Sequence, residues 1–270
     1  MDKATRRLRI GFSILGAVML LGAVLLWDAR ATIALNVARQ EEAARPAEIE
    51  LTLLAPSACA LCLDGSRIVE AIEKQNVRIL KSETLSADSQ EGRTLIETYG
   101  VTRAPAILIR GEYNKENIRE TLAAFGGEEK EGTLVIEAKQ PVYVDLASNE
   151  TIGLVDVTYL ADSSCPDCYN PAIHKTILEN TFGLTIQTET TVDAQSAQGR
   201  ALLKEYALAQ TPSVLLSSQA RAYALLAETW KQVGTIEENG TFVFRQNAAL
   251  GPVVYKDVKA GTIIRPTTSD

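Results

Sequence analysis

Four cysteines fall in two pairs of equal spacing, Cys59-Ala60-Leu61-Cys62 and Cys165-Pro166-Asp167-Cys168. Two thiols three residues apart can close a disulfide, and one can attack a substrate disulfide while the other resolves the mixed intermediate. Each pair follows an apolar, strand-like run and is expected to open a helix. Unsatisfied N–H groups and the macrodipole would there favour a thiolate. Pro166 suits a first helical turn, whereas Ala60 and Leu61 surround the other pair with apolar atoms that oppose ionisation. Cys165 is therefore expected to be the more reactive nucleophile. Asp167 is expected to tune it, since a carboxylate near the developing thiolate raises the thiol pKa. Two other readings stand beside exchange. A structural zinc site would need pairs about 100 residues apart to converge, far beyond zinc-ribbon spacing. Inert disulfides are compatible with an oxidising compartment, although so tight a loop gains little loop-closure entropy.

The elements that must position these pairs emerge from an internal repeat. Thr52–Cys59 (TLLAPSAC) matches Thr158–Cys165 (TYLADSSC), and Gly92-Arg93 with Tyr99 matches Gly199-Arg200 with Tyr206. Pro105 matches Pro212, Gly132 matches Gly240, and Pro141 matches Pro252, at offsets that drift from 106 to 111 residues. Each copy reads as strand, helix, strand, helix, strand, strand, an α/β unit of roughly 100 residues. Asn239-Gly240 between apolar runs marks a hairpin. Trp230, Phe242 and Phe244 are expected to pack its core.

With these elements in order, each copy resembles a thioredoxin fold. Tyr99–Ile109 (YGVTRAPAILI) and Tyr206–Leu216 (YALAQTPSVLL) are similar to the thioredoxin segment that carries a cis-proline beside the active site. The resemblance implies that Pro105 and Pro212 are cis and pack against their CxxC pairs. It also implies that Ala104 and Thr211 offer backbone pairing to substrate. Departures are plain: Ala58 and Ser164 replace the tryptophan before the first cysteine, and Leu53 and Tyr159 replace the buried acid six residues upstream. The tandem arrangement resembles two-domain protein disulfide oxidoreductases over residues 48–258.

Outside the repeat, Lys3, Arg6, Arg7 and Arg9 precede Ile10–Trp27, eighteen residues without a charge. That length suits a bilayer span and exceeds the usual apolar region of a cleaved signal peptide, although Ala29-Arg30-Ala31 would pass as a cleavage site. The positive-inside tendency places the N-terminus in the cytoplasm and the rest outside. The expected organisation is a basic segment (1–9), a transmembrane helix (10–27), a helical stalk (28–47) and two tandem thioredoxin-like domains (48–148 and 149–265).

The 270-residue chain carries a formal charge of -7 despite its basic start, which argues against nucleic acid as a partner. Its one histidine, His174, is expected to be an ordinary, partly exposed helix residue. No nucleotide, flavin or haem motif is visible, and no cofactor or metal is expected. The reading is a membrane-anchored thiol–disulfide oxidoreductase, periplasmic or at the cell surface, exchanging with protein thiols or disulfides and with a redox partner protein. Cys59 and Cys165 would attack, and Cys62 and Cys168 would resolve. The alternative is a tethered, non-catalytic scaffold whose disulfides are structural.

Overall fold

The computed structural model describes residues 32–266 together with Trp27 and Arg30. Apart from Trp27, the expected span at 10–27 lies outside the described residues, as does the basic segment before it. Among the described residues, no helix is long and apolar enough to cross a membrane. Residues 32–44 form an exposed helix. It runs up to Arg45, whose guanidinium meets Glu42 and Glu112, both at 2.7 Å.

The rest is mixed α/β. The first series runs β1 (Ala47–Ala55), α1 (Gly65–Glu73), β2 (Val77–Ser86), α2 (Gln90–Tyr99), β3 (Arg103–Ala104), β4 (Ala106–Gly111), α3 (Glu116–Ala124), β5 (Glu128–Lys130), β6 (Thr133–Glu137), β7 (Tyr143–Asp145) and β8 (Glu150–Ile152). The second repeats that order. It comprises β9 (Leu154–Ala161), α4 (Ile173–Phe182), β10 (Thr185–Asp193), α5 (Ala197–Glu205), β11 (Gln210–Thr211), β12 (Ser213–Leu216), α6 (Ala224–Val233), β13 (Gly234–Ile236), β14 (Phe242–Phe244), β15 (Tyr255–Asp257) and β16 (Thr262–Ile264). Each series holds a five-stranded sheet, β2-β1-β4-β6-β5 or β10-β9-β12-β14-β13, and a three-stranded sheet, β3-β7-β8 or β11-β15-β16. This arrangement is consistent with thioredoxin-like units.

Local chemistry explains the elements. The central strands are buried on both faces, so alternate residues feed two cores. Ile49, Leu51, Ile107 and Ile109 join Ile72 and Leu122 on one side, and Leu54, Leu108 and Val135 join Val101 on the other. In the second series Tyr159, Val214, Leu178, Trp230 and Phe242 share one cluster, and Leu160, Leu215 and Val243 another. The repeated glycines sit where helix meets strand. A Cβ at Gly92 would lie 2.1 Å from the Ser86 carbonyl oxygen, and one at Gly199 would lie 2.0 Å from that of Asp193. Ser89 and Ser196 cap these helices by accepting the same glycines' N–H groups at 2.9 Å.

Three features differ from the sequence expectation. A third helix, α3 or α6, follows the strand after each proline, and from α6 Trp230 packs against Phe242 and Phe244 as expected. The Asn-Gly turn is a longer connection in which Ile236 pairs with Phe242 and Glu237 N–H bonds to Thr241 C=O. Each series also ends in a short hairpin, β7–β8 or β15–β16, that returns to its cis-proline loop.

Candidate functional site: two CxxC turns

Both pairs are disulfides, with Cα atoms 5.3 Å apart in each. Neither opens a helix. In the second series Cys165 N–H bonds to Asp162 C=O at 3.0 Å and Cys168 N–H to Cys165 C=O at 3.1 Å, forming successive turns, while α4 begins at Ile173. In the first, α1 begins at Gly65 with Asp64 as its cap. The sulfurs therefore meet through turn geometry and not through a shared helical face, and Pro166 lies in the turn. Cys165 is buried at 3% exposure. Cys168, Cys59 and Cys62 are half-buried.

Ala104–Pro105 and Thr211–Pro212 are both cis peptide bonds. Ala104 and Thr211 are fully buried, and their backbones already have partners: Ala104 faces Val144 of β7, and Thr211 faces Lys256 of β15. Val258 N–H bonds to Ala209 C=O and Leu146 N–H to Thr102 C=O. Antiparallel alternation then makes Thr211–Lys256 and Ala104–Val144 the next pairs to exchange hydrogen bonds. A further backbone bond ties each hairpin segment to the residue after its CxxC, from Leu63 N–H to Val142 C=O and from Tyr169 N–H to Val254 C=O, both at 2.9 Å.

Around the second disulfide lies a polar centre that the sequence reading missed. Asp162 is buried, and its Oδ1 accepts from Ser164 N–H at 3.0 Å, Ser164 Oγ–H at 2.5 Å and Gln195 Nε2–H at 2.9 Å. Its Oδ2 accepts from Thr211 Oγ1–H at 2.8 Å and lies 3.6 Å from Lys256 Nζ. Lys256 Nζ also donates to Ser164 Oγ at 2.6 Å. Burial works to raise the Asp162 carboxyl, but the hydrogen bonds from Ser164, Gln195 and Thr211 prevail and hold it at about 2. The signal was present in the repeat, which aligns Asp162 with Pro56.

A second network grips the Pro212 carbonyl. Asn247 Nδ2–H donates to it at 3.0 Å and Tyr169 Oη–H lies 3.3 Å from it, while Tyr169 also donates to Asn247 Oδ1 at 2.7 Å. His174 Nε2 lies 3.2 Å from Tyr169 Oη, and the imidazole meets Phe244 edge-on at 4.6 Å. His174 is thus a core residue at 4% exposure, and burial pushes its pKa down to about 4. Burial likewise pushes the Tyr169 phenol up. Asp167 is exposed and turns its carboxylate to Arg265 at 2.6 Å, so a cation opposes the charge expected to act on Cys165.

No protein-family model matches the sequence, and no curated protein matches it. Among solved structures, the chain is similar to ERdj5 in its form II crystal at 15% identity and a TM-score of 0.20, over 69% of this chain and 25% of that one. It thus spans about a quarter of the length of ERdj5. It is also similar to the NTD_N/C domain of alkylhydroperoxide reductase AhpF from Enterococcus faecalis, at 14% identity and a TM-score of 0.20, over 67% of this chain and 89% of that one. A protein disulfide oxidoreductase from Aeropyrum pernix matches at 18% identity and a TM-score of 0.19, over 65% of this chain and 78% of that one.

Proposed function

We propose that the chain is a membrane-anchored thiol–disulfide oxidoreductase of two thioredoxin-like units, facing outward from the cytoplasm and acting on protein thiols or disulfides. The observation that carries the reading is the CPDC disulfide held against the Thr211–Pro212 cis loop through a buried carboxylate. In exchange, a thiolate of the reductant attacks one sulfur of the pair. A mixed disulfide forms and the other cysteine leaves as a thiolate. A second thiolate of the same reductant then displaces the remaining cysteine, so two electrons and two protons pass to the pair and the reductant becomes a disulfide. The reverse sequence reduces a substrate. No cofactor is consumed.

The basic cluster before Ile10 supports an inward N-terminus. A reporter fused after Asp270 is expected to be active outside the cytoplasm, and activity inside would refute the orientation. Equilibration of the folded protein with glutathione buffers tests the chemistry. A potential between about -270 and -120 mV supports exchange, whereas one below about -300 mV makes the bridges structural. The scaffold reading draws on the first series, where Pro56, Ala104 and Val144 stand in place of Asp162, Thr211 and Lys256. Titrating each pair alone separates the two readings site by site.

A further inference from the structure

The two CxxC turns share a backbone plan but not a charge environment. Three residues before the leading cysteine stands Pro56 in one series and Asp162 in the other. Before the cis-proline stands Ala104 or Thr211, and across the strand from that residue stands Val144 or Lys256. In the second series the three side chains converge. Thr211 donates to Asp162, Lys256 lies 3.6 Å from the same Oδ2, and Lys256 also donates to Ser164, the neighbour of Cys165. Asp162 has 2% and Lys256 19% of its side chain exposed, so solvent screens their charges less than those of surface groups. Building the turn does not require this trio. With proline, alanine and valine at these positions, the first series still closes a disulfide at the same Cα separation and forms the cis bond and the strand pairing.

We propose that Asp162 and Lys256 are opposed positioning residues that set the dithiol–disulfide balance of Cys165–Cys168 separately from that of Cys59–Cys62, a proposal that rests on the exchange chemistry inferred above. When an incoming dithiol reduces the pair, its two electrons arrive at Cys165 and Cys168 and the reductant leaves as a disulfide. Negative charge develops on sulfur before protons are taken up. The Asp162 carboxylate disfavours that charge and the Lys256 ammonium favours it. Thr211 fixes the carboxylate on the cis-proline side of the turn, and the hydroxyl of Ser164, the residue before Cys165, holds the ammonium. The CALC pair, with neutral groups at all three positions, has neither influence.

The test uses the full chain with Cys59→Ser and Cys62→Ser, so that one pair titrates, equilibrated with glutathione buffers at pH 7 and read by alkylation of free thiols. Asp162→Asn is expected to move the equilibrium about three- to tenfold toward dithiol, tenfold being about 30 mV for this two-electron couple. Lys256→Met is expected to move it by a similar factor toward disulfide. Lys256→Arg should keep the parent value, and the double variant should return to within about twofold of it. Singles that move in the same direction, or neither moving by more than about twofold, overturn the proposal and leave exchange standing. A parent that stays oxidised in every buffer refutes exchange, and the proposal falls with it. If Asp162→Asn does not fold, Lys256→Glu, expected to shift further toward disulfide than Lys256→Met, keeps the sign test decisive.

Discussion

Replacing Thr211 with valine isolates the buried carboxylate. Valine keeps the shape and β-branching of threonine in a fully buried site, so the principal loss is the hydroxyl that donates to Asp162 Oδ2 at 2.8 Å. Hydrogen bonds to charged groups contribute about 1.5–3 kcal/mol, and with 2% of its side chain exposed Asp162 has little water to replace the donor. The expected cost at pH 7 is about 2 kcal/mol, a large share of a typical domain's stability. Acid supplies a second arm. Asp162 is held at about 2 in the fold, and a carboxyl so placed against about 3.9 when unfolded contributes roughly 2 to 3 kcal/mol at neutral pH. Because the folded value is depressed, that contribution is present above about pH 4 and is lost as pH falls through about 2. Without the Thr211 hydroxyl the folded value rises and less is left to lose. The gap between parent and variant should therefore narrow from about 2 kcal/mol at pH 7 to about 1 kcal/mol near pH 2. Urea unfolding followed by Trp230 emission reads the second series, since Trp230 is core-packed while Trp27 is 79% exposed. A penalty that stays constant from pH 7 to 2 would refute the reasoning by showing that valine acts through packing. A penalty below about 0.5 kcal/mol at pH 7 would show that the hydroxyl contributes nothing.

His174, depressed to about 4 by burial, should cost the fold about 3 kcal/mol as pH falls from about 6.5 through 4. His174→Phe should flatten that stretch of the stability–pH curve, and an unchanged slope would show that the imidazole is not the titrating group. Cys168 presents more surface than Cys165, so brief alkylation of the reduced protein followed by peptide mapping should find Cys168 labelled first; Cys165 labelled first would restore the order read from sequence. Asp167→Asn should change stability by less than about 1 kcal/mol and lose its effect in high salt, because the carboxylate and its Arg265 partner are both more than half exposed. A larger, salt-insensitive change in the thermal midpoint would place Asp167 in a tighter contact than this pair.

The repeat was legible because its markers are residues with steric or covalent duties: paired cysteines, capped glycines and the prolines that open β4 and β12. The central strands were legible as short apolar runs, whereas the edge strands β2 and β10 extend well past their apolar starts on exposed, polar residues that carry no burial signal. Ile118 with Leu122 in α3, and Leu226 with Trp230 in α6, stand four apart as helical core pairs do, a signal passed over among short polar stretches. The terminal hairpins gave less to read. Their strands are three residues long and half-buried or exposed, too short for alternation to register. The polar centre could not be assembled from spacing at all, since its members stand at positions 162, 195, 211 and 256 and meet through sheet register. His174 was misread for a related reason, because the Phe244 ring that covers it comes from a strand seventy residues away.

The hairpins also bear on the part assigned to Ala104 and Thr211. A peptide that pairs with either backbone must take the place of β7 or β15, because one strand edge accepts one partner. The backbone hydrogen bonds exchange nearly one for one, so the cost of replacement lies in the side chains that hold each hairpin down. For the first series Val144 brings no charged contact to the turn, and Leu61 and Leu63 are already exposed at 52% and 38%. For the second series, release of β15–β16 would break Lys256 from Ser164 and Asp162, and Arg265 from Asp167. Parting Asp162 from its cation costs more than losing a surface pair, although Ser164, Gln195 and Thr211 still donate to the carboxylate. The two disulfides thus lie against hairpins held in different ways. CALC lies against a strand held by Arg103 over the Tyr143 ring, with the uncharged Val144 facing the cis-proline loop, and CPDC against a strand whose Lys256 reaches the buried Asp162.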